Sequence, residues 1–444
     1  MITKKIYASE IGAKLNSNVY TGGGTDDTAV LQAVLDKAPE IGGVHLIMDG
    51  AALVSQLKLH SNTTIECLNA DCGFFQLPQS NCAIVTNYNW DRKARNARNI
   101  TLLGGTYNQN CPNQLHDVPA TPEMLGANCY EGIHGVVGIE FCGVENLVVR
   151  DLKILDFRTY AFMLTNFFRA TIENVWVDLP NRMVAQNQDG LHFWGPGQFL
   201  TVRDCGGTVG DDFMNIGPDE GDGVSSITDV LVDGIFLNDA DQALRLLSRG
   251  TGRLDRVTIR NVSGTYRSFG FYINPWLYGD DIKGNYGHIT IENVDLAQAN
   301  HIYHYSVPLL FRLGGQIEKL TLKNIHHKNL TDEHAFLQIG GHYDAESKPM
   351  PFPYTKVGTL EIDGMEILGN SDGPTARGIE VKCEVDNLIV NRAILNSMND
   401  MPMIKVFETG SIKNLMLSQI IANGHTLIEG EDKVGKILKT DILA

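Results

Sequence analysis

The segment Gly207 to Gly217 reads GTVGDDFMNIG and sets Asp211 and Asp212 side by side in an apolar run. Asp189 stands 22 residues before Asp211 in NQDGLHFWG, which also carries His192 and Trp194. Carboxylates held together repel, and one of them is expected to keep its proton. A proton donor and a base within a few ångströms of a sugar oxygen are the minimal equipment for hydrolysing a glycosidic bond. Two plainer readings stand beside that one: corner aspartates bonded to turn amides, and a calcium site. The dipeptide recurs as Asp26-Asp27 in GTDDTAV and as Asp280-Asp281 in YGDDIKG. The first reads as the start of a helix and the last as a solvated loop.

What positions these residues is a repeat. From LVVRDLKI onward an apolar/any/apolar triplet returns, followed by a polar residue, then as a rule Asn, Asp or Gly, then an apolar pair. The triplets end at Val149, Ile172, Val202, Val232, Ile259, Ile291, Leu322, Ile362, Val390 and Leu417, at gaps of 23 to 40 residues, and earlier copies are TTIECLNA and ITLLGGTY. Period-2 strands with a corner residue after each, at this spacing, predict coils of a right-handed, single-stranded parallel β-helix. A sandwich or propeller would need hairpin turns, and their Asn-Gly or Asp-Gly signals are scarce. We expect one domain over residues 1–444, with an N-terminal cap over about 1–45 and an insertion over about 105–135. The helix of the cap is predicted over Thr25 to Lys37, with Thr25 as N-cap and Asp26 and Asp27 at the positive end of its dipole.

Each coil has a second strand before its triplet: AFML, GLHFW, FMNIG, ALRLL and GFYIN. Taking Leu191 and Phe193, Met214 and Ile216, Leu244 and Leu246, and Phe271 and Ile273 as inward pairs leaves His192, Asn215, Arg245 and Tyr272 between them. Neighbouring rungs lie about 4.8 Å apart, so these four are predicted to form one outward ladder facing solvent. Asp189, Asp212 and Gln242 fall in a second column at the strand entrance, with Asp211 one residue earlier. Trp194 and Trp276 follow ladder strands, where they suit either a sugar-stacking platform or wall packing. The stretch from Cys111 to Cys129 breaks the repeat and is expected to roof part of the groove. His326, His327 and His342 sit in later coils, away from the carboxylates, and no metal is expected.

NQDGLHFWG and GTVGDDFMNIG resemble the Asn-x-Asp and Gly-Asp-Asp motifs of the polygalacturonase family of glycoside hydrolases, whose fold is a right-handed parallel β-helix. GGGTDDTAVLQAVLDKA also resembles the opening helix of pectin-active β-helices. The resemblance implies that Asp211 is the general acid, that Asp189 and Asp212 activate water, and that the reaction inverts the anomeric carbon. The sequence departs from the family pattern in two places. No Gly-His-Gly coil follows the paired aspartates, and Leu247 stands where the family's Arg-x-Lys strand has its lysine, although Arg245 can stand for the arginine. His192 is the candidate imidazole. A uronate would call for two or more cations, for which Arg245, Arg249 and His192 are the clear candidates; a neutral glycan is equally allowed.

Composition limits the partners. The chain has 444 residues, 43% apolar, 20% charged, with net charge −16. That field repels nucleic acid and anionic membranes, so a polyanionic partner needs a local basic pocket. The start has no secretory apolar run and no later stretch suits a bilayer, which reads as cytoplasmic, or secreted if a signal has been removed. Eight cysteines without metal spacing read as free buried thiols. The expectation is a cofactor-free hydrolase acting on a carbohydrate, of unassigned oligomeric state. The alternatives are a polysaccharide lyase or uronate epimerase, with an Arg or Lys base and few lysines near the ladder to supply it, and a non-catalytic glycan-binding protein.

Overall fold

The computed structural model describes residues 5–114, 136–181, 187–248, 250–275, 283–299, 309–328, 335–340, 342–343, 350–351, 355–368, 377–396 and 402–443. The chain divides into two compact units, Met1–Phe213 and Met214–Ala444. Each is built from stacked parallel strands, and the fold is a right-handed parallel β-helix.

The triplets set the register. In the first unit Leu46, Ile65, Leu102, Val149, Ile172 and Val202 are successive partners in one column. In the second, Val232, Ile259, Ile291, Leu322, Ile362, Val390 and Leu417 do the same. Every member of both columns is fully buried. Removing one such side chain from water stabilises the fold by about 1.5–3 kcal/mol, so a column of them drives the stacking.

The corner after each triplet requires a residue that tolerates left-handed backbone. Asp151, Asn174, Asp204, Asn261, Asn293 and Asn324 all adopt φ between 50° and 61° there, a region where short polar side chains are the commonest non-glycine occupants. The Asn corners also bond along the stack: Asn293 donates its amide to Asn261 at 3.1 Å and Asn324 donates to Asn293 at 3.1 Å. A corner amide satisfied by the next coil is repeatable indefinitely, whereas a corner bonded only within its own coil would not align its neighbours.

The helix at the N-terminus is shorter than expected. It spans Thr28–Leu35 with Asp27 at the N-cap position, buries Leu31, Val34 and Leu35, and is followed by a turn over Ala38–Ile41. The Gln32 side chain accepts the Lys58 N–H at 2.9 Å and donates to the Lys58 carbonyl at 3.0 Å, tying the helix to the strand Leu57–Leu59. Thr25 is not the cap. Asp26 accepts the Thr28 N–H at 2.9 Å, while Asp27, 2% exposed, turns away to accept the N–H groups of Lys14 and Leu15 at 2.7 and 2.9 Å. The adjacent aspartates therefore do different work, one holding the helix start and one fastening the preceding turn.

Part of the expected insertion belongs to the coils, since Thr106–Asn108 is a strand and Cys111–Asn113 a turn. Its remainder, Cys129, Asp280 and Asp281 lie outside the described residues. The seven other cysteines are free, and all but Cys82 are buried. Burial pushes the Cys205 thiol up to about 12, which keeps it protonated and inert. Among the described residues no helix is long and apolar enough to cross a membrane.

Candidate active site

The entrances of two successive coils bring three carboxylates together. Asp189 opens the strand Asp189–Gly207, Asp212 opens the strand Asp212–Gly217, and Asp211 immediately precedes it. The backbone locks them: the N–H groups of Gly210 and Asp211 both donate to the Gln188 carbonyl, and the Asn187 N–H donates to Oδ2 of Asp211 at 2.7 Å. Gly190 permits the close approach, because a Cβ there would lie 2.6 Å from the Phe213 carbonyl. As a result one oxygen from each of Asp189, Asp211 and Asp212 lies within 4.8 Å of the others, and all three residues are at most 5% exposed. Three like charges under cover are stable only with a shared proton or a cation between them. The all-oxygen donor set would also suit a hard cation such as Ca²⁺.

His192 is fixed from both sides. Its Nδ1 lies 2.7 Å from Oδ2 of Asp189, and its Nε2 lies 2.8 Å from Nε1 of Trp194. An indole can only donate, so Nε2 is the acceptor and the ring proton resides on Nδ1, donated to Asp189. The Tyr160 ring stacks on the imidazole with centroids 4.1 Å apart, one rung below, where Tyr160 is the register partner of Asp189. Val137, Tyr160, Met163 and Trp194 form a buried apolar cluster around this group.

The expected solvent-facing ladder is corrected here. Arg245 and Tyr272 do share a column on adjacent rungs of the second unit, as the inward pairs Leu244 with Phe271 and Leu246 with Ile273 require. Yet His192, Asn215 and Tyr272 are 1%, 2% and 3% exposed, Trp194 is fully buried, and only Arg245 is half-buried. In the second unit Arg245, Tyr272 and Phe269 cover one another. The Arg245 guanidinium lies 5.3 Å from the Tyr272 ring, and Phe269 packs on Tyr272 with centroids 4.5 Å apart. Trp194, bonded to His192 and fully buried, presents no face to solvent on which a sugar could stack. Arg249 and Trp276 lie outside the described residues, as does the segment from 115 onward that was expected to roof the groove. His326 pairs with Glu366 and His327 with Tyr266; nothing is described of the His342 side chain.

Sequence reasoning missed Tyr160, although it directly precedes the AFML strand and its partner Asp189 was identified. It also missed Arg92 and Trp90. They lie on a segment between coils with no periodic signal, yet the Arg92 guanidinium is 5.6 Å from the Trp194 ring.

Comparison with known proteins bears on the fold. No family model matches the chain, and no curated protein sequence matches it. Solved structures do. The family 28 exopolygalacturonase of Yersinia enterocolitica aligns over 96% of this chain and 80% of its own, with 13% identity and a TM-score of 0.56. The AlgE4 A-module of the Azotobacter vinelandii mannuronan C-5 epimerase aligns over 96% and 100%, with 13% identity and a TM-score of 0.54. The tailspike of Escherichia coli bacteriophage HK620, solved as a mutant with a pentasaccharide, aligns over 98% and 78%, with 10% identity and a TM-score of 0.58. At these identities the likeness shows a parallel β-helix and nothing narrower.

Proposed function

We propose that this chain is a glycoside hydrolase that cleaves a poly- or oligosaccharide with Asp189, Asp211 and Asp212 as its reacting carboxylates. The reading is carried by the buried trio, with an oxygen of each carboxylate within 4.8 Å of the others and Asp189 aimed by His192. An ordinary inverting pair stands about 6.5–9.5 Å apart across a ring, and the trio is tighter than that. A different pose suits the trio. An attacking water sits about 3–3.5 Å from the anomeric carbon and the leaving oxygen one bond beyond it, so roughly 5 Å separates the two oxygens that exchange protons. With the sugar edge against the wall, Asp211 can lie beneath the leaving oxygen while Asp189 and Asp212 share the water. Two acceptors within 4.8 Å can hold one water between two ordinary hydrogen bonds. Asp211 donates its proton to the departing oxygen, the carboxylate pair takes one from the water, and the product has inverted configuration.

A reducing-sugar screen of the purified chain against plant and bacterial glycans identifies the substrate, and the Asp211→Asn variant tests the assignment. Turnover should fall on the order of 10²-fold or more with the fold intact. Full activity in that variant would place the acid elsewhere. A product absorbing in the near ultraviolet would instead mark the elimination chemistry of a lyase.

A further inference from the structure

The corner that enters each triplet strand runs along the first unit as a column. Asn62, Asn99, Asn146, Arg169 and Phe199 stand immediately before the register partners Thr63, Ile100, Leu147, Ala170 and Leu200. All five adopt left-handed backbone, with φ between 55° and 63°. The first three form a ladder: Asn99 donates its side-chain amide to Asn62 at 2.8 Å, and Asn146 donates to Asn99 at 3.1 Å. A phenylalanine cannot continue it. Phe199 is the only aromatic residue with positive φ among the described residues. A bulky side chain strains this conformation where asparagine fits it well, and burial does not compensate, because the ring is 45% exposed. Strain kept at a corner where the same fold uses an easier residue points to a functional constraint on the ring.

Phe199 has built surroundings. Phe168 meets it edge-on, with ring centroids 5.4 Å apart, and the guanidinium groups of Arg169 and Arg95 lie 5.1 and 5.8 Å from the Phe168 ring centre. Arg95 belongs to the segment Asp91 to Arg98, DRKARNAR, which concentrates positive charge in a chain of net charge −16. Asp91 folds that segment by accepting the N–H groups of Lys93 at 2.7 Å and Ala94 at 3.2 Å on Oδ1, and the Asn96 amide at 3.2 Å on Oδ2. Asn166, 1% exposed, donates its side-chain amide to the carbonyls of both Asp91 and Ala94 at 3.1 Å. Gly143, with φ +73°, completes the seat, since a Cβ there would lie 2.5 Å from the Ala94 carbonyl and 2.7 Å from that of Asp91. Arg95 then donates to the Pro196 carbonyl at 3.5 Å, three residues before Phe199. Lys93, Arg95, Arg98 and Arg169 are all exposed, whereas Asp91 and Glu145, the register partner of Arg98 and Phe168, are half-buried.

An exposed aromatic ring offers a flat apolar face to a sugar, and a guanidinium offers a planar fork to a carboxylate or sulfate. The acidic surface of the chain repels polyanions, but salt screens that repulsion beyond about 8 Å. A single flexible strand can therefore lie on a cationic patch where a membrane or a duplex would also meet the acidic surface around it. We propose that Phe199, Phe168, Arg95 and Arg169 form a surface docking site for an anionic polysaccharide strand, with a sugar ring on Phe199 and its carboxylate or sulfate on the two arginines. Phe199 stands ten residues along the strand from Asp189, and the site holds the polymer without taking part in the chemistry. The choice of a glycan among polyanions rests on the carbohydrate reading of the carboxylate trio; the docking site itself rests on the strained corner and its arginines.

The test uses the full chain carrying Asp211→Asn to suppress turnover, and calorimetry to count sites and measure their dissociation constants. The probes are tetragalacturonate, a sulfated carrageenan tetrasaccharide, uncharged cellotetraose and an oligothymidylate. A charged glycan should occupy a site that added Phe199→Asn weakens at least 10-fold. The same substitution restores the residue the corner takes elsewhere, so it should raise the urea midpoint of unfolding. Arg169→Gln should weaken the charged glycan at least 5-fold and leave any cellotetraose binding unchanged. Lys153→Gln, at an exposed lysine past the Asp151 corner, should change neither. Which charged glycan binds more tightly separates a carboxylated from a sulfated strand. The proposal is overturned if neither charged glycan binds, if the oligothymidylate binds the same site as tightly, or if Phe199→Asn keeps the parent affinity or loses stability. In each of those cases a wild-type chain that turns glycan over, and an Asp211→Asn variant that does not, would keep the hydrolase reading. Conversely, charged glycan bound through Phe199 and Arg169 without any turnover by the wild type would keep the docking site and remove the hydrolase.

Discussion

Trp194 donates its indole N–H to Nε2 of His192 across 2.8 Å, and that bond determines which ring nitrogen carries the proton. The remaining nitrogen, Nδ1, then points its hydrogen at Asp189 across 2.7 Å. Asp189 is thereby held as an acceptor, the state that the base proposed above needs before it takes a proton from water. A donor at Nε2 and an acceptor at Nδ1 leave neither ring nitrogen unsatisfied, which makes burial of the imidazole tolerable. Both ring nitrogens of His192 are thus bonded within the protein, Nδ1 to Asp189 and Nε2 to Trp194.

Trp194→Phe removes this donor while keeping an aromatic ring. With Nε2 relieved of its partner, either tautomer becomes accessible and Asp189 loses its fixed hydrogen bond for part of the time. We expect kcat on the screened glycan to fall roughly 10-fold, the scale typical of a lost orienting contact one residue removed from the reacting groups. The acidic limb of the pH–rate profile should move, while KM changes little. A variant that loses stability but keeps the wild-type kcat and pH profile would show that Trp194 only packs.

The two aspartates at the helix start should differ in stability. Asp27→Ala leaves the part-buried N–H groups of Lys14 and Leu15 without their buried acceptor and should cost about 1–2 kcal/mol. Asp26→Ala removes an exposed bond to the Thr28 N–H and should cost about 1 kcal/mol or less. Urea unfolding of both variants checks the order, and equal losses would contradict it.

These contrasts show where sequence reading succeeds. The triplets fixed the burial and register of columns such as Val149, Ile172 and Val202, because period-2 alternation and a left-handed corner are local properties repeated coil after coil. The ladder's column was legible for the same reason, in Arg245 opposite Tyr272. Its exposure was not. Burial of His192 comes from Tyr160 and Trp194, whose rings close over it in three dimensions. The helix start was misplaced for a similar cause: amides 12 and 13 residues away draw the Asp27 carboxylate off the helix axis. Trp90 and Arg92 had no periodic context at all, and only the seat made by Asn166 and Gly143 brings Arg92 against the Trp194 ring.

Gly207 tests the coil stacking beneath the paired aspartates. Its φ is +137°, and a Cβ would lie 1.8 Å from the Val177 carbonyl, so no side chain fits without moving a strand. Gly264 meets the same constraint in the second unit, 2.0 Å from the Leu237 carbonyl. Gly207→Ala should cost about 3 kcal/mol or more through backbone displacement. Gly223→Ala, with φ +77° and nothing within 4 Å, should cost only the left-handed penalty of about 1–2 kcal/mol. Chemical denaturation of the pair measures the difference, and a Gly207→Ala chain as stable as Gly223→Ala would show that the rung can shift freely.

The last expectation concerns acid. Arg253 grips Glu318 as a fork, Nη1 to Oε1 and Nη2 to Oε2 both at 2.8 Å, and reaches Asp255 through Nε at 3.3 Å. The Arg253 hydrogen bond holds the Glu318 carboxyl below the usual range. Asp255 is also held low: burial opposes this, but the His288 and Arg256 amides and the Arg253 charge outweigh it. Carboxyls depressed in the folded state contribute stability that is present above their unfolded values, about 3.9 for Asp and 4.3 for Glu, and is lost as pH falls through the folded values. Arg253 itself is raised by the Glu318 bond and stays charged throughout that window. Glu318 is 57% exposed, so the pair is screened and worth less than about 1 kcal/mol. Arg253→Ala should therefore be slightly less stable than the wild type at pH 7 by urea unfolding. The gap should narrow in 1 M salt and close as the pH is taken below about 3. If it stays the same size at pH 7 and in acid, the loss arises from packing of the arginine stem and not from its charge.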